Sequence, residues 1–585
     1  MKKLLFSNVA VTMLMAFTVS FTLSSCSEEI VEDQQENQET QEEDLDFPKD
    51  VTVFTTGGDE TTRTSLDLNA YFYWTANDKI WVDVAEDGSY DTRSDDMLMS
   101  SDKRLAKFIF TGETMDADTF KLTYTGIDAT SGTKVTIPQD QLQNGPNDAT
   151  SIGRNGDCAT AVARKNPKGQ YEFRLQHKAH YLIFQPYQDP VINTKTWKLK
   201  KIEVISLDDE VLSGTFDFAT TGEFATTGLI ASTVENPSTT ITIDNIGGVD
   251  GVALNKVKAS DNPAWYAVIA PATDGEHWLR IRYTVNPDAY INYDGNESTL
   301  VKGDIVITKD LKIASAANKV TKIAHKMTLD RVPTDEFYQW NAPKPYWYGV
   351  TNRPTRYFDR NTDDYPKETS DPRYTTLTSA APAGGKAATN FPCSNLPDVN
   401  ALTWYAMAGD ARWETEYPWV FDNDYNHIYT LGTWFLKWEH IVAENVVANP
   451  ELASTTKADC PISFKGTVRV YSSTSDTEGT LRTYNGTDYR TTTFSPNNWF
   501  QPRFLTYRFN GRPKDVSRYF FLPANGHINN GILESKGVIH GCYWSSTAVP
   551  GAQRAYIMET KSFSLQVRQD NGASFNGRSA LDWWE

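Results

Sequence analysis

Short runs of β-branched and aromatic residues, separated by turns rich in Gly, Asp and Asn, fill the chain from Val51 to about Lys326. The segment Leu279–Val285 alternates apolar and polar residues, which predicts a strand with one buried and one solvated face. Turns recur about every 8–15 residues, as is typical of sandwich folds. The pattern predicts two antiparallel β-sandwich domains, 49–190 and 191–330, with no helix longer than two turns.

The pattern changes after residue 330. Eight prolines between residues 331 and 392, with a Thr/Ala/Gly-rich stretch among them, predict a Pro-rich, semi-rigid connector. Eleven of the 16 tryptophans follow residue 330, so a different domain is expected over 393–585. There, helical spacing predicts one helix from its cap Asp398 through Met407 and another between Leu431 and Val442. The predicted fold class is mostly β with a C-terminal α+β domain.

The N-terminus combines a basic start, Met1–Lys3, with an apolar stretch that ends just before Cys26. This arrangement resembles a bacterial lipobox, which implies a lipoprotein signal peptide over residues 1–25 and acylation of Cys26. The alternative is a transmembrane anchor with an incidental cysteine. Residues 27–46 carry ten acidic and no basic residues, so 26–48 is expected to be an extended acidic tether. Acids directly after such a cysteine resemble the export signal of surface lipoproteins in the Bacteroidota, and a periplasmic spacer is the alternative.

Charge excludes one class of partner. The formal net charge is −19, which argues against nucleic acid because binding it requires a cationic surface. From residue 47 onward the net charge is only −11, so charge indicates little about other partners. Disulfide pairing is left open among the four cysteines that follow Cys26, and their wide spacing does not support a structural zinc site. They are Cys158, Cys393, Cys460 and Cys542.

Several phrases of the first half resemble the fimbrillin-type surface proteins of the Bacteroidota. They are Thr62-Arg63-Thr64, the run Trp74–Val82, and Ala264–Pro271 with the strand that follows it. The resemblance implies two β-sandwich domains that build fimbriae or adhesins. It also marks Arg63 as a candidate processing site, with an ordinary strand residue as the alternative. The long C-terminal domain is unlike a fimbrial shaft subunit.

Two phrases of the last domain resemble a C-type-lectin-like domain of the kind that recurs in surface lipoproteins of this phylum. They are Phe521-Leu522-Pro523-Ala524 and, about twenty residues later, Tyr543-Trp544-Ser545-Ser546. The resemblance implies loops that display a ligand-binding surface on a fixed core. The tail after residue 580 departs from the usual closing strand. The calcium-binding motifs of sugar-binding members are absent from this domain, so calcium-dependent sugar binding is not supported.

No catalytic set, metal site or cofactor motif is found in the sequence. His177 and His180 lie on a predicted strand, where a separation of three places them on opposite faces and disfavours joint metal binding. Asp422, Asp424 and Asn426 copy three positions of a calcium loop, but His427 stands where that loop needs glycine. A lone structural ion there is left open.

Two groups of residues are the candidate ligand contacts. Trp413, Tyr417 and Trp419 lie in a polar, loop-like stretch, which favours exposed rings for stacking, with core positions as the alternative. A hydrophilic run after Phe563 is expected to face outward, with a plain solvated strand and turn as the alternative. Its residues are Gln566, Arg568, Asp570, Asn571, Asn576 and Arg578.

Together these features predict a non-enzymatic lipoprotein, anchored in the outer membrane through Cys26 and facing the cell surface. It would act as an adhesin or ligand-binding protein through its C-terminal domain, with a host protein or a glycan as partner. The alternatives are a fimbrial tip or accessory subunit that contacts other fimbrial subunits, and a glycan-capture component of a nutrient uptake system.

Overall fold

The fold is taken from a computed structural model, which describes residues 51–56, 65–66, 72–189, 195–218, 229–292, 301–422, 424–454, 456–460, 462–471, 476–493, 509–534, 540–562, 564–570 and 576–580. The predicted signal peptide, Cys26, the acidic tether, Arg63 and Asn571 lie outside these residues. No helix within the described ranges is long and apolar enough to cross a membrane.

The first part of the chain forms a nine-stranded sheet, which we call the first sheet. Inward side chains from most of its strands meet in one core that includes Phe54, Phe108 and Tyr124, so the sheet curves around that core. The strands are Val51–Thr56, Trp81–Val82, Thr92–Arg93, Asp96–Met99, Ala106–Thr111, Thr119–Tyr124, Ala159–Lys165, Tyr171–Phe173 and Gln176–His177, with a small hairpin of Ser65–Leu66 and Phe72–Tyr73.

The second core, called here the second sandwich, lies between a six-stranded sheet and several short sheets. The six strands are Asp140–Gln141, Lys198–Ser206, Thr240–Ile243, Val252–Ala253, Glu276–Asn286 and Ile305–Ala314. The short sheets contain Lys134–Ile137, His180–Phe184, Tyr187–Gln188, Ser213–Phe218, Leu229–Ser238, Trp265–Ile269, Lys319–Ile323 and Lys326–Met327. The alternation predicted for Leu279–Val285 is confirmed, since every second residue of that strand is buried.

The boundary between these two parts is not the single point near residue 190 that the sequence predicted. Lys134–Ile137 pairs with Ser213–Phe218, and Asp140–Gln141 pairs with Thr240–Ile243. The chain then returns to the first sheet at Ala159–Lys165. Residues 134–158 therefore contribute to the second sandwich before the first sheet is complete, an exchange that no local sequence signal announces.

The described residues of the remaining chain form the C-terminal unit, in which they build two larger sheets, a hairpin and two α-helices. One sheet contains Phe337–Tyr338, His527–Asn529, Ile532–Glu534, His540–Ala548, Ala555–Lys561, Ser564–Gln569 and Asn576–Ser579. The other contains Arg412–Glu414, Gly432–Leu436, Phe509–Asn510 and Tyr519–Pro523. The hairpin is Lys465–Val470 with Thr480–Asn485, the α-helices are Val399–Ala408 and Trp438–Asn445, and the 3-10 turns are Thr334–Glu336, Pro392–Asn395, Pro450–Ser454, Lys457–Asp459 and Val516–Arg518.

The first predicted helix is confirmed and the second is only half right. The Asp398 carboxylate accepts a hydrogen bond from the Ala401 N–H at 2.8 Å, and the helix ends at Ala408, with Gly409 as its C-terminal cap. The stretch from Leu431 was predicted to be helical, but Gly432–Leu436 is a strand between two neighbours and only Trp438–Asn445 is helical. The aromatic residues of Gly432–Leu436 lie at helical spacing but form a strand, because pairing with two adjacent strands outweighs their weak helix propensity.

The predicted Pro-rich connector is wrong as a description of residues 331–392. These residues pack into the C-terminal unit and bury large aromatic side chains, among them Trp340, Trp347 and Tyr357. The Trp340 indole N–H donates to the Ser545 carbonyl at 2.8 Å. Proline restricts the backbone without preventing burial, so proline content alone did not distinguish a linker from an irregular packed segment. Residues 333–392 are called the irregular segment below.

A five-stranded sheet joins the second sandwich to the C-terminal unit, and it is called the shared sheet. Its strands are Val301–Lys302, Tyr290–Asn292, His427–Tyr429, Trp419–Phe421 and Asp330–Val332, in that order. Tyr290–Asn292 pairs in parallel with His427–Tyr429, and Asp330–Val332 pairs in parallel with Trp419–Phe421. The fold class, mostly β with a C-terminal α+β unit, is confirmed.

Candidate binding surface of the C-terminal unit

The two phrases that carried the lectin-like resemblance lie in contact at the centre of the C-terminal unit. The Tyr543 hydroxyl donates to the Pro523 carbonyl oxygen. The Trp544 indole N–H donates to the Tyr338 carbonyl at 2.7 Å, and the ring is fully buried. These residues therefore hold the core together and tie the irregular segment to it.

The expected exposure of the first candidate group is wrong. Trp413 and Trp419 are 4% and 0% exposed, and Tyr417 is half-buried. The Trp419 indole N–H donates to the Leu431 carbonyl at 2.9 Å, while its ring stacks on Tyr429 with centroids 4.8 Å apart. These side chains face the core of the shared sheet and the sheet beside it, so they present no free ring for stacking.

The polar neighbours of these aromatics explain the error. Thr415 and Glu416 are exposed, and they gave the stretch its loop-like character. Tyr417 instead donates its hydroxyl to Asp330 and lies under the guanidinium of Arg512, which is 5.7 Å from the ring centroid. Burial, assisted by the Asp330 carboxylate, raises the pKa of Tyr417 well above its ordinary value, so the phenol stays protonated.

The second candidate group is expected to face solvent, and this expectation is wrong for three of its five described members. Gln566, Asp570 and Arg578 are buried, whereas Arg568 and Asn576 are partly buried. Every residue from Ser564 to Val567 is buried, so both faces of this part of the strand are covered, and the helix Val399–Ala408 is one of its neighbours. The hydrophilic composition of the run predicts an outward face, but its charged residues pair inside the unit.

That pairing forms a buried charge network. Arg578 donates to Asp570 at 2.9 Å, and Arg568 donates to both carboxylate oxygens of Glu559 at 3.2 Å. Although burial raises the pKa of Glu559, the adjacent Arg568 guanidinium outweighs it and lowers the pKa to about 2. The Glu559–Arg568 pair is therefore ionised at neutral pH, and it joins two neighbouring strands of the sheet, which is a structural role.

The C-terminal unit presents an exposed hairpin that the sequence analysis did not identify as a candidate binding surface. The hairpin Lys465–Val470 and Thr480–Asn485 is a two-stranded ribbon with exposed side chains along both strands, and Leu481 is 61% exposed. Its base is fixed because the Phe464 ring packs edge-on against Trp404 at 4.8 Å and Tyr484 at 6.0 Å. The alternation of Thr, Arg and Val in these two segments is the sequence pattern that could have predicted the hairpin.

A second exposed feature comes from the irregular segment. Tyr348 is 50% exposed, and the ammonium of Lys344 lies 4.7 Å from its ring centroid. The Lys367 ammonium lies 4.4 Å from the Tyr365 ring in the same way. An open aromatic ring beside a cation offers stacking and charge together to a ligand.

The histidines and acids that the sequence offered as possible metal ligands have partners inside the fold. The described part of the chain holds no group of three or more His, Cys, Asp or Glu that could bind a metal ion. The His177 ring binds Asp157 at 2.8 Å, whereas the His180 ring binds Thr321 at 2.8 Å, so the two rings point to different partners. Asp424, one of the calcium-loop residues, pairs with the His427 ring at 3.0 Å.

The four described cysteines are buried and free. Burial raises the pKa of the Cys393 and Cys542 thiols to about 12. It also raises the pKa of Cys158 and Cys460 well above the ordinary value. A thiol must lose its proton to act as a nucleophile, so none of these four is poised for covalent chemistry at neutral pH.

No family model matches the chain. No curated protein sequence matches it either. Among solved structures, a provisionally named cell adhesion protein from Bacteroides ovatus has 12% identity and a TM-score of 0.27, over 47% of this chain and 91% of that one. A truncated tip fimbrial protein from Porphyromonas gingivalis has 11% identity and a TM-score of 0.21, over 45% and 81%. A fimbrial protein from Bacteroides ovatus has 10% identity and a TM-score of 0.21, over 91% and 99%. Scores this low establish neither a common fold nor a common function.

Proposed function

We propose that the chain is a non-enzymatic adhesion protein of the cell surface that contacts its ligand through the C-terminal unit. The observation that carries the proposal is the shared sheet. It replaces the connector expected between the sandwiches and the C-terminal unit with a continuous hydrogen-bonded structure. A binding unit fixed in this way keeps its orientation relative to the rest of the chain and resists being pulled away.

Side chains reinforce the same junction. Arg280, on the outer face of the second sandwich, pairs with Asp310 and also donates to the Pro513 carbonyl of the C-terminal unit at 2.8 Å. Lys514 pairs with Asp209 at 2.8 Å. Force applied between an anchored N-terminal end and a bound ligand would therefore be shared among backbone ladders and ion pairs, which suits adhesion.

The hairpin is the contact element in this proposal. Its strands expose Thr, Arg and Leu side chains, while the edge-on contacts of Phe464 with Trp404 and Tyr484 fix its base, so ligand binding orders few additional groups. A pre-organised surface loses less entropy on binding than a mobile one. Candidate ligands are a host protein or a glycan.

The thiols and histidines support the non-enzymatic part of the proposal. Burial holds the thiols protonated, as described above. Burial also lowers the pKa of His180 and His325 to about 3, so both rings stay neutral and serve as hydrogen-bond partners inside the second sandwich. General acid–base catalysis needs a group whose pKa lies near the working pH and which a substrate can reach.

The location is part of the proposal and depends on the N-terminal sequence. Acylation of Cys26 would anchor the chain in the outer membrane, and the acidic tether would carry the folded part outward. Metabolic labelling with palmitate tests the anchor, since Cys26→Ser should abolish incorporation. Protease treatment of intact cells tests the orientation, because a periplasmic protein would be protected.

A glycan and host-protein array probed with the full chain tests the binding function. Leu481→Ser on the hairpin should weaken binding to any ligand found by about tenfold, whereas Val447→Ser, at an even more exposed position of the same unit, should leave it unchanged. Equal loss of binding in both variants, or loss in neither, would contradict the role of the hairpin as the contact element.

If the folded chain binds nothing on the array and instead co-purifies with filaments, the result would favour a fimbrial accessory subunit. Binding to soluble polysaccharide alone would favour glycan capture for nutrition.

A further inference from the structure

The hairpin of the C-terminal unit has two faces that differ in burial. Along Lys465–Val470, and from Leu481 to Asn485, exposed side chains alternate with partly buried ones. The partly buried face carries Val468 and Tyr484, which pack against the core of the C-terminal unit. Residues opposite each other in the antiparallel register share a face. The exposed face, called here the solvent face, consists of Lys465, Thr467, Arg469, Leu481, Thr483 and Asn485.

The packing of the partly buried face fixes the direction of the solvent face. The Tyr484 ring contacts Phe464 edge-on, with centroids 6.0 Å apart. Gly466 lies over the same ring, where a Cβ would come within 3.0 Å of it. The base of the hairpin is therefore seated on Phe464, and the solvent face is a pre-formed surface that points away from the core.

The solvent face is cationic, although the chain as a whole is acidic. Lys465 and Arg469 lie four residues apart on one strand, which places their Cα atoms about 13 Å apart. Among the described residues neither has an ion-pair partner, and the Arg469 guanidinium donates to the carbonyl oxygens of Glu478 and Gly479 at 2.5 and 3.4 Å. None of the residues of the solvent face is acidic. Both positive charges are thus available to a ligand.

Hydroxyl and amide groups accompany the two cations. Thr467 and Thr483 lie between them, with their Oγ1 atoms 3.0 Å apart. A contact between two hydroxyls uses one of their two protons, so the pair can still donate one hydrogen bond and accept others. Asn485, opposite Lys465, adds an exposed amide that donates and accepts. The order of charge, hydroxyl pair and charge matches a linear ligand with anionic groups on either side of polar ones.

The same residues argue against two other kinds of linear or extended partner. Proteins bind single-stranded nucleic acid largely through aromatic rings on which the bases stack. Protein partners are held by a central cluster of aromatic or apolar anchors. The solvent face has no aromatic residue and a single apolar one, Leu481. Threonine and asparagine side chains instead suit the hydroxyl groups of a sugar.

We propose that the solvent face binds a linear glycan that carries carboxylate or sulfate groups. The inference rests on the proposed function, in which the hairpin is the contact element, and it names the class of ligand. Lys465 and Arg469 each bind one anionic group through charge-assisted hydrogen bonds. The threonine pair between them exchanges hydrogen bonds with sugar hydroxyls.

Binding of the full chain to three immobilised polysaccharides tests the proposal. Heparin is sulfated, polygalacturonate carries only carboxylates, and dextran is neutral. The chain should bind at least one of the two anionic polymers and not dextran, and the stronger of the two identifies the anionic group. Affinity should fall as the salt concentration rises, because exposed charges are screened.

The double variant Lys465→Gln/Arg469→Gln should lose about tenfold or more in affinity for the anionic polymer, because two charge-assisted hydrogen bonds are removed. The matched control is Arg360→Gln/Arg554→Gln, which removes two exposed cations elsewhere in the C-terminal unit and should bind like the wild type. Both variants have the same net charge, so a difference between them reports the position of the charges. All four side chains are exposed, and urea unfolding should show the same midpoint for both variants and the wild type.

Three results would overturn the proposal. One is that neither anionic polymer binds, or that dextran binds equally well. Another is an equal loss of affinity in the two double variants, or a loss in neither. The third is binding of oligothymidylate as tight as that of the polysaccharides, which would make the solvent face a general anion site and not a glycan site.

Failure of this inference is distinguishable from failure of the proposed function. If Leu481→Ser weakens binding to a ligand from the array and Lys465→Gln/Arg469→Gln does not, the hairpin remains the contact element and the assignment of an anionic glycan is wrong. If neither change on the hairpin affects binding of any ligand, both proposals are wrong.

Discussion

The second sandwich and the irregular segment both bury large apolar side chains, yet they satisfy their backbones by different means. Glu276–Asn286 pairs with a strand on either side over most of its length, and its outward side chains form cross-strand ion pairs. In the irregular segment, Gln339 donates to the Pro366 carbonyl at 3.0 Å and accepts from the Thr375 N–H at 2.9 Å. One region depends on repeated ladders, and the other on single side chains at particular positions.

This difference determines how each region responds to substitution. A ladder distributes its hydrogen bonds over many residues, and changing an outward side chain leaves those backbone bonds in place. A single amide that bridges two distant backbone groups has no substitute. Removing it leaves a buried donor and a buried acceptor unsatisfied at once.

The largest effect is expected for Trp544→Ala, which would empty a fully buried indole site and leave the Tyr338 carbonyl without its donor. Unfolding in urea should show a loss of about 3–5 kcal/mol. Trp278→Ala, on the partly exposed face of the second sandwich, is the control and should cost less than about 1 kcal/mol. Equal losses would contradict the central role given to Trp544.

Glu559→Gln should come next, with a loss of about 3 kcal/mol at neutral pH, because it removes the carboxylate that binds the partly buried Arg568 at 3.2 Å and leaves only Asp570, at 3.9 Å, as its counter-charge. The native pKa of Glu559, about 2, lies below the ordinary value of 4.5. The unfolded chain therefore takes up the proton first as the pH falls. The contribution is fully present above about pH 4.5 and is lost between pH 4.5 and 2.

Urea titrations at several pH values test this prediction. The wild type should lose stability over the range from pH 4.5 to 2, and Glu559→Gln should lose less over the same range. Parallel curves for the two proteins would show that Glu559 is not the residue whose protonation matters. Glu416→Gln, at an exposed position, controls for the loss of one carboxylate.

Gln339→Ala tests the comparison most directly, and it should cost about 2 kcal/mol because two buried backbone groups lose their partner. Gln139→Ala removes the same side chain from an exposed position and should change the free energy of unfolding by less than about 0.5 kcal/mol. A loss below 1 kcal/mol for Gln339→Ala would mean that the irregular segment is held by its aromatic contacts alone.

The smallest effect is expected for Asp310→Asn, about 1 kcal/mol, because its Arg280 partner keeps its bond to the Pro513 carbonyl and the ladder beneath is unchanged. The measurement is urea unfolding, repeated at high salt, where the difference should change little because both side chains are only 12% and 10% exposed. A loss as large as that for Glu559→Gln would remove the distinction between the two regions.

The spacing of apolar residues along the chain correctly predicted elements whose signals are local in sequence. The strand around Ile281 and the helix capped by Asp398 were predicted correctly because their signals lie within ten residues of sequence. The irregular segment was not recognised because its partners are remote: Trp340 contacts Ser545, about two hundred residues away. Local sequence carries no record of such a contact.

The candidate site was harder to predict for a related reason. The polar side chains of Arg568 and Asp570 have the composition of a solvated strand, and only the positions of Glu559 and Arg578 show that they pair inside the unit. Trp413 and Trp419 were misplaced because their polar neighbours, not the rings, lie at the surface. The exposed hairpin has an ordinary composition, so the sequence did not mark it as a candidate binding surface.

The buried amides also bear on how this chain can change over time. Gln339 fixes two points of the irregular segment, and the residues between Pro366 and Thr375 loop out from them at the surface. The entropic cost of closing a loop rises only slowly with its length. Residues can therefore be inserted or replaced between the two fixed points with little loss of stability. The outer loops of the C-terminal unit are thus free to diverge among descendants, while Gln339 and the indoles beneath it are constrained.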